Sequence, residues 1–353
     1  MTIPYTFTNG TLANATEVNT NFAYTLGNAA WNRIISTTNA DTSDHIGYQA
    51  HTATKMTMID SGADIWYSAD SGVTWTEKNT DLDTADIIHR NCKADRTYAI
   101  FIEMSGDNEV VHTADSGVTC TTKTSCTFGT AIYAISYPTT SLIVVGGNDA
   151  AGTDFIVFST DSGANWTNAT TTVDAICPAL DMYDGSNGFA LTNTGKIFST
   201  SNAAVDWTDT THTYNPVPEQ PNTILVAVSS TECVFAYINT AVIYIFKYDG
   251  SGNAVMKLRI NTPVFQGLGN FVIDSNGIIY SAAVSTSANT NVLLLRSTDD
   301  GETWDSIIIP CYDAWTTNAG NIKSMLSLDE DDNLYVFASQ YNIPFKIQAH
   351  GGL

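Results

Sequence analysis

Short runs in which apolar and polar residues alternate, punctuated by Gly, Asp and Asn, recur from about residue 45 to the C-terminus. Alternation of this kind predicts strands joined by hairpins. "IDSGADIWYS" at 59–68, "TNTGKIFST" at 192–200 and "IDSNGIIYS" at 273–281 share one grammar, a β-branched or aromatic run, a turn, and a second run ending on an aromatic or hydroxyl residue. A second turn follows each such hairpin. It reads "YSADSGVTW" at 67–75, "HTADSGVTC" at 112–120, "FSTDSGANW" at 158–166 and "RSTDDGETW" at 296–304.

Counted from their opening residues, Ser68, Thr113, Ser159 and Ser199 are 45, 46 and 40 residues apart. The copy opened by Ser199, "STSNAAVDW", reads as having lost its aspartate and gained a residue, and "KYDGSGNAV" at 247–255 keeps only an aspartate and a glycine. Ser297 lies 98 residues beyond Ser199, two periods on, so six repeats are accounted for. A period of 40 to 50 residues that holds four short strands predicts an all-β chain folded as a β-propeller.

After the sixth copy, 321–339 supplies inner strands, yet no Trp-led fourth strand follows. "WNRIIST" at 31–37 matches "WDSIIIP" at 304–310 and "WTNATTT" at 166–172, and is expected to complete the last blade. Such closure removes the open edges of a linear array. The 323 residues from 31 to 353, divided by the period, give roughly seven four-stranded blades, with six or eight as alternatives. A rival closure makes "PFKIQAH" at 344–350 the outer strand.

The turn explains its own residues. Asp70, Asp115, Asp161 and Asp299 can accept turn N–H groups, and Ser68, Thr113, Ser159 and Ser297 can do the same. Gly72, Gly117, Gly163 and Gly301 suit positive φ, while Trp75, Trp166 and Trp304 begin the next strand and cover apolar surface. One carboxylate per copy is too few for calcium, which takes six to eight oxygens. These residues resemble the Asp-box, or BNR, repeat of sialidases, sortilin-type receptors and seven-bladed photosystem assembly factors, in which the box is a structural element at the blade periphery. The second copy departs by placing Cys120 at the Trp position.

Sialidases hold a substrate carboxylate with three arginines beside a Tyr–Glu nucleophile pair and an Asp acid or base. Only Arg33, Arg90, Arg96, Arg259 and Arg296 are present, and no such triad is recognisable. No catalytic residue is therefore assigned; another glycoside hydrolase or lyase on the same propeller is the enzymatic alternative. "LDEDDNLY" at 328–335 has D-x-D-x-N spacing but lacks the glycine and distal glutamate of an EF-hand, and reads as a hairpin turn. His45 and His51 have no third ligand in register and read as solvated loop residues. "GGND" at 146–149 and "DGSNG" at 184–188 read as turns. The six cysteines lack CxxC spacing and read as buried thiols, with Cys120 and Cys126 the pair to test for a disulfide. No metal or cofactor is expected.

Residues 1–30 leave the blade grammar and form a separate unit ahead of the propeller at 31–353. "IPYTFTNGT" predicts a short extended stretch; Asn14 and Glu17 then form a capping box, and Val18, Phe22 and Leu26 make a narrow apolar stripe on a short helix. Such a helix is marginal alone and should dock on a partner, a symmetry mate or its own propeller. Ile3 to Thr11, Ala15, Val18, Asn19, Asn21 and Phe22 resemble the N-terminal stretch of phage tail-fibre and other virion proteins, which implies a virion attachment element.

Composition sharpens these expectations. With 36 acidic against 14 basic side chains the formal charge is -22, which repels a phosphate backbone and argues against nucleic acid. No secretory signal or apolar run long enough to span a bilayer is visible. The expected protein is a non-enzymatic structural or adhesion propeller, made in a host cytoplasm and displayed on a phage or other virion. Its expected partners are virion proteins or symmetry mates through 1–30 and a host-surface glycan or protein. A carbohydrate-active enzyme and a cellular assembly or scaffold factor are the alternatives.

Overall fold

The computed structural model describes residues 31–33, 45–60, 62–79, 82, 87–103, 108–125, 131–148, 154–170, 173–214, 223–239, 242–261, 265–285, 291–310, 326–338 and 343–347. Among them every regular element is a strand. The stripe of Val18, Phe22 and Leu26 lies outside the described residues.

Six antiparallel sheets use consecutive strands and span 45–79, 87–123, 131–168, 179–213, 223–261 and 265–310. The first five have four strands each; in the sixth, Val272–Ile273 adds a fifth by pairing with Ile279–Ser285 beside Phe265–Leu268. A further sheet joins the two ends of the chain. It orders Leu326–Leu328, Leu334–Ala338 and Ile343–Ile347, with Trp31–Arg33 outermost and Trp31 opposite Ile347. The stretch containing Pro344 and Phe345 is thus the third strand of that sheet, with the outer position taken by Trp31–Arg33.

Each sheet packs on the next, and the end-joining sheet packs on both the first and the sixth, so the sheets form a ring. This packing explains the burial along each repeat. Second strands are covered on both faces and read as nearly continuous apolar runs, as in Met56–Asp60, Ala99–Glu103 and Cys233–Asn239. Fourth strands are exposed and Thr- or Lys-bearing, as in Thr208–Thr213 and Val255–Asn261. The core is divided among the seams between sheets. Ile102 and Val110 meet Ile132 and Val145 at one seam, and buried Tyr335 joins Tyr48, Met58 and Trp75 where the ring closes.

Two expectations about loops are corrected. "GGND" is not a turn, because Gly146 and Gly147 lie within the strand Ile143–Asn148; a Cβ on Gly147 would stand 2.1 Å from the Ala131 carbonyl oxygen. His51 is not solvated. It is fully buried, its Nδ1 2.6 Å from the Arg96 carbonyl and its Nε2 2.9 Å from Thr57 Oγ1. Cys92, Cys120, Cys177 and Cys233 are not joined in disulfides, and Cys126 lies outside the described residues.

Candidate functional site

The repeated turn joins the third and fourth strands of its sheet, the pair farthest from the ring axis. In the first copy Ser68 Oγ donates to Asp70 Oδ1 at 2.9 Å and accepts from Gly72 N at 2.8 Å. Asp70 accepts from Thr74 N and Thr74 Oγ1 at 2.8 and 2.7 Å, and Trp75 Nε1 donates to the Gly72 carbonyl at 3.0 Å. Thr113–Asp115–Gly117, Ser159–Asp161–Gly163 and Ser297–Asp299–Gly301 repeat the first part of this network. Trp304 Nε1 repeats the bond to the glycine carbonyl, whereas Trp166 Nε1 donates to the Thr124 carbonyl. The four glycines have φ of 85° or 86°, which a Cβ-bearing residue resists. Each aspartate accepts bonds from its own turn, which is the chemistry that fastens the hairpin.

The eroded fourth copy is in register from Thr200, not Ser199. Asn202 Oδ1 accepts from Thr200 Oγ1 and Asp206 N, Ala204 occupies the glycine position with φ 67°, and Trp207 is buried at 1 % exposure. No residue has been gained; Asn has replaced Asp and Ala has replaced Gly. Cys120, at the Trp position of the second copy, packs against the core of Ile65, Leu82 and Val111. In "LDEDDNLY", Asp329 is fully buried and accepts from Asp331 N, Asn333 N, Asn333 Nδ2 and Tyr335 Oη at 2.8 to 3.0 Å, which makes it a hairpin. No cluster of three or more metal-ligating side chains occurs among the described residues.

The place where residues of many sheets converge is the axis. A cavity of about 410 Å³ opens there, and the innermost strand of every sheet contributes to its wall. Its charged lining is Arg90, Lys93, Arg96, Asp181 and Asp274, with Gln49, Asn91, Ser136, Asn270, Ser275 and Ser327 among the polar groups and half-exposed Tyr183 alongside.

Asp181 is the hub. Its Oδ1 accepts from Ser136 Oγ at 2.8 Å, and its Oδ2 accepts from Ala227 N at 2.9 Å and Lys93 Nζ at 2.5 Å, so one carboxylate ties four sheets. Lys93 also donates to the Met182 carbonyl at 2.6 Å. Asp274 Oδ1 accepts from Asn276 N and Ile278 N, both at 2.9 Å, within its own hairpin. Arg96 donates to the Asp329 carbonyl and pairs with Asp332 Oδ1 at 3.2 Å.

Arg90 differs. It stands on the innermost strand Ile87–Asn91 and lines the cavity, and its guanidinium has neither a hydrogen bond nor an ion pair with any of the described residues. Burial works against its charge and lowers its pKa, opposed by the field of Asp181. No expectation singled out this set, because its members come from different repeats. One signal was present in the sequence: "RNCKADR" at 90–96 gathers three of the chain's 14 cations.

No protein-family profile matches the chain, and no curated protein matches it by sequence. Solved structures do match in three dimensions. A YCF48 bound to D1 peptide is 14 % identical with a TM-score of 0.57, covering 91 % of this chain and 95 % of its own. The GH74 xyloglucanase of Xanthomonas campestris is 14 % identical with a TM-score of 0.60, covering 92 % of this chain and 55 % of its own. A streptogramin B lyase is 12 % identical with a TM-score of 0.56, covering 91 % and 97 %. Identities this low carry the fold alone. The chain is an all-β propeller, and its neighbours include a peptide-bound YCF48 and enzymes of two kinds.

Proposed function

We propose that this chain is a non-catalytic recognition module, a propeller of seven blades when the end-joining sheet is counted, four of them fastened by intact Asp-box-type turns, whose ligand enters the axial cavity. The observation that carries this reading is the state of the cavity's carboxylates. Glycoside hydrolysis in its common form needs two carboxyl groups flanking the scissile bond, one to move a proton and one to attack or to activate water. Among the described residues, Asp181 has both oxygens bound by Ser136, Ala227 and Lys93, and Asp274 is tied into its own turn. What the cavity offers instead are hydrogen-bonding groups and Tyr183 with 45 % of its surface exposed, features suited to holding a polar ligand.

Display on a phage or other virion through residues 1–30 is part of the same proposal, resting on the resemblance of Ile3 to Phe22 to virion attachment segments. Adhesion to a host-surface glycan is the role that joins the two halves. Two measurements test it. The full-length chain on a saccharide array should retain ligands without releasing cleaved product, and immunogold microscopy with an antibody against 31–353 should decorate particles from the source culture. Turnover of a retained saccharide would overturn the non-catalytic reading, and unlabelled particles would remove the virion. The second reading is an assembly factor that takes a peptide. It is favoured by the match to YCF48, which spans nearly all of both chains, whereas the xyloglucanase match spans about half of that enzyme.

A further inference from the structure

The cations of the axial cavity are not equivalent. Lys93 is neutralised by Asp181, and Arg96 by Asp332 with Asp329 and Asp274 close by. Arg90 is left with only the longer-range field of Asp181, whose oxygens are already taken by three donors. Its guanidinium presents up to five N–H donors, and none of them is hydrogen-bonded to an acceptor of the wall among the described residues. A half-buried guanidinium with unused donors, facing a cavity in a chain of net charge -22, is an electrostatic exception that an anionic ligand would complete.

We propose that Arg90 binds the carboxylate of an acidic saccharide, a uronic-acid or similar sugar, in the axial cavity. This rests on the recognition reading above and specifies its ligand class. A planar carboxylate matches the guanidinium fork better than a point charge does. The remaining wall is polar, with Gln49, Ser136, Asn270 and Ser327 held in it by bonds to neighbouring residues, and Tyr183 supplies an aromatic surface for a sugar ring. At about 410 Å³ the cavity is in the size range of small-molecule sites, so it admits one or a few sugar units rather than a folded partner. The bound sugar is not cleaved, because the cavity carboxylates are engaged.

The test uses the full-length protein and three probes in calorimetry: glucuronate, its neutral counterpart glucose, and a short peptide with a free C-terminal carboxylate. Glucuronate is expected to bind at least about tenfold more tightly than glucose, with the preference lost in Arg90→Met and partly kept in Arg90→Lys, since a bond to a charged group is worth about 1.5–3 kcal/mol. In wild-type protein carrying 15N-arginine, glucuronate should shift the Arg90 Nε–Hε resonance, a readout that needs no variant to fold. Equal binding of glucose and glucuronate, unaffected in Arg90→Met, would overturn the carboxylate while leaving recognition standing. Binding of the peptide but not the sugar would overturn the saccharide. No binding of any probe together with an unmoved Arg90 resonance would overturn both this inference and the cavity as a recognition site.

Discussion

Replacing Asp181 by alanine separates a structural carboxylate from a functional one. Three partners lose an acceptor. The Ala227 N–H has no alternative acceptor in view, and a buried donor left unsatisfied costs about 1–3 kcal/mol. Ser136 Oγ still accepts from Met182 N at 3.0 Å but loses the group to which it donates, about 1 kcal/mol. Lys93 has 37 % of its side chain exposed and keeps the Met182 carbonyl, so its pair is discounted to about 0–1 kcal/mol. The expected loss is about 3–4 kcal/mol. At about 2.1 cal/mol/K per residue the unfolding entropy of a chain this long makes 1 kcal/mol worth about 1.5 °C, so Tm should fall by about 5 °C. Asp181→Asn keeps one acceptor and turns an N–H2 group toward a donor, and should lie between the two. Scanning calorimetry at pH 7.5 reads the effect. A variant that melts within about 1 °C of wild type would refute the reasoning, because Asp181 would then not be a tie between sheets.

Gly301→Ala should destabilise by about 2–4 kcal/mol, more than Asp299→Ala at about 1 kcal/mol, because the new Cβ would meet positive φ and stand 2.4 Å from Val234 Cγ2; equal urea midpoints for the two variants would show that the glycine is not clamped. Burial lowers the pKa of His51 to about 4, His89 to about 3 and His112 to about 4. The unfolded chain therefore takes up protons near pH 6.5 that the folded chain refuses, and stability, full above that pH, should decline as pH falls toward 4, by about 1 kcal/mol per histidine at pH 5.5. A urea midpoint unchanged between pH 7.5 and 5.5 would contradict this. Asp161 and Asp299, held below the usual carboxylate range by donors from Asn165 and Thr303, should add a small further loss only below about pH 4. Deleting residues 1–37 removes Trp31–Arg33 from the edge of Ile343–Ile347 and should lower Tm by several degrees more than deleting 1–28; equal melting temperatures would sink closure by the N-terminal strand.

The all-β class, the repeat and the fastening turns are legible along the chain, because each turn is closed by bonds spanning two to four residues and its chemistry is written where it acts. The sequence even places Trp31 in a sheet with strands three hundred residues away, since a missing Trp-led strand and an unclaimed one can be matched by pattern. Register is hidden where the pattern is worn down: Ser199 reads as the opening residue in place of Thr200 because Asn202 and Ala204 do the work of Asp and Gly with different letters. His51 reads as solvated because polarity is local and burial is not; Thr57 stands on the next strand of its own hairpin, but only the packing of one sheet on the next brings the Arg96 carbonyl onto it. The cavity lay beyond the sequence altogether. Asp181 meets Ser136, Ala227 and Lys93 across separations of 45, 46 and 88 residues, and Arg90 is set apart from Lys93 and Arg96 solely by which carboxylates the neighbouring sheets carry to them. Charge can be counted along a chain, but which charge is left uncompensated is decided by packing.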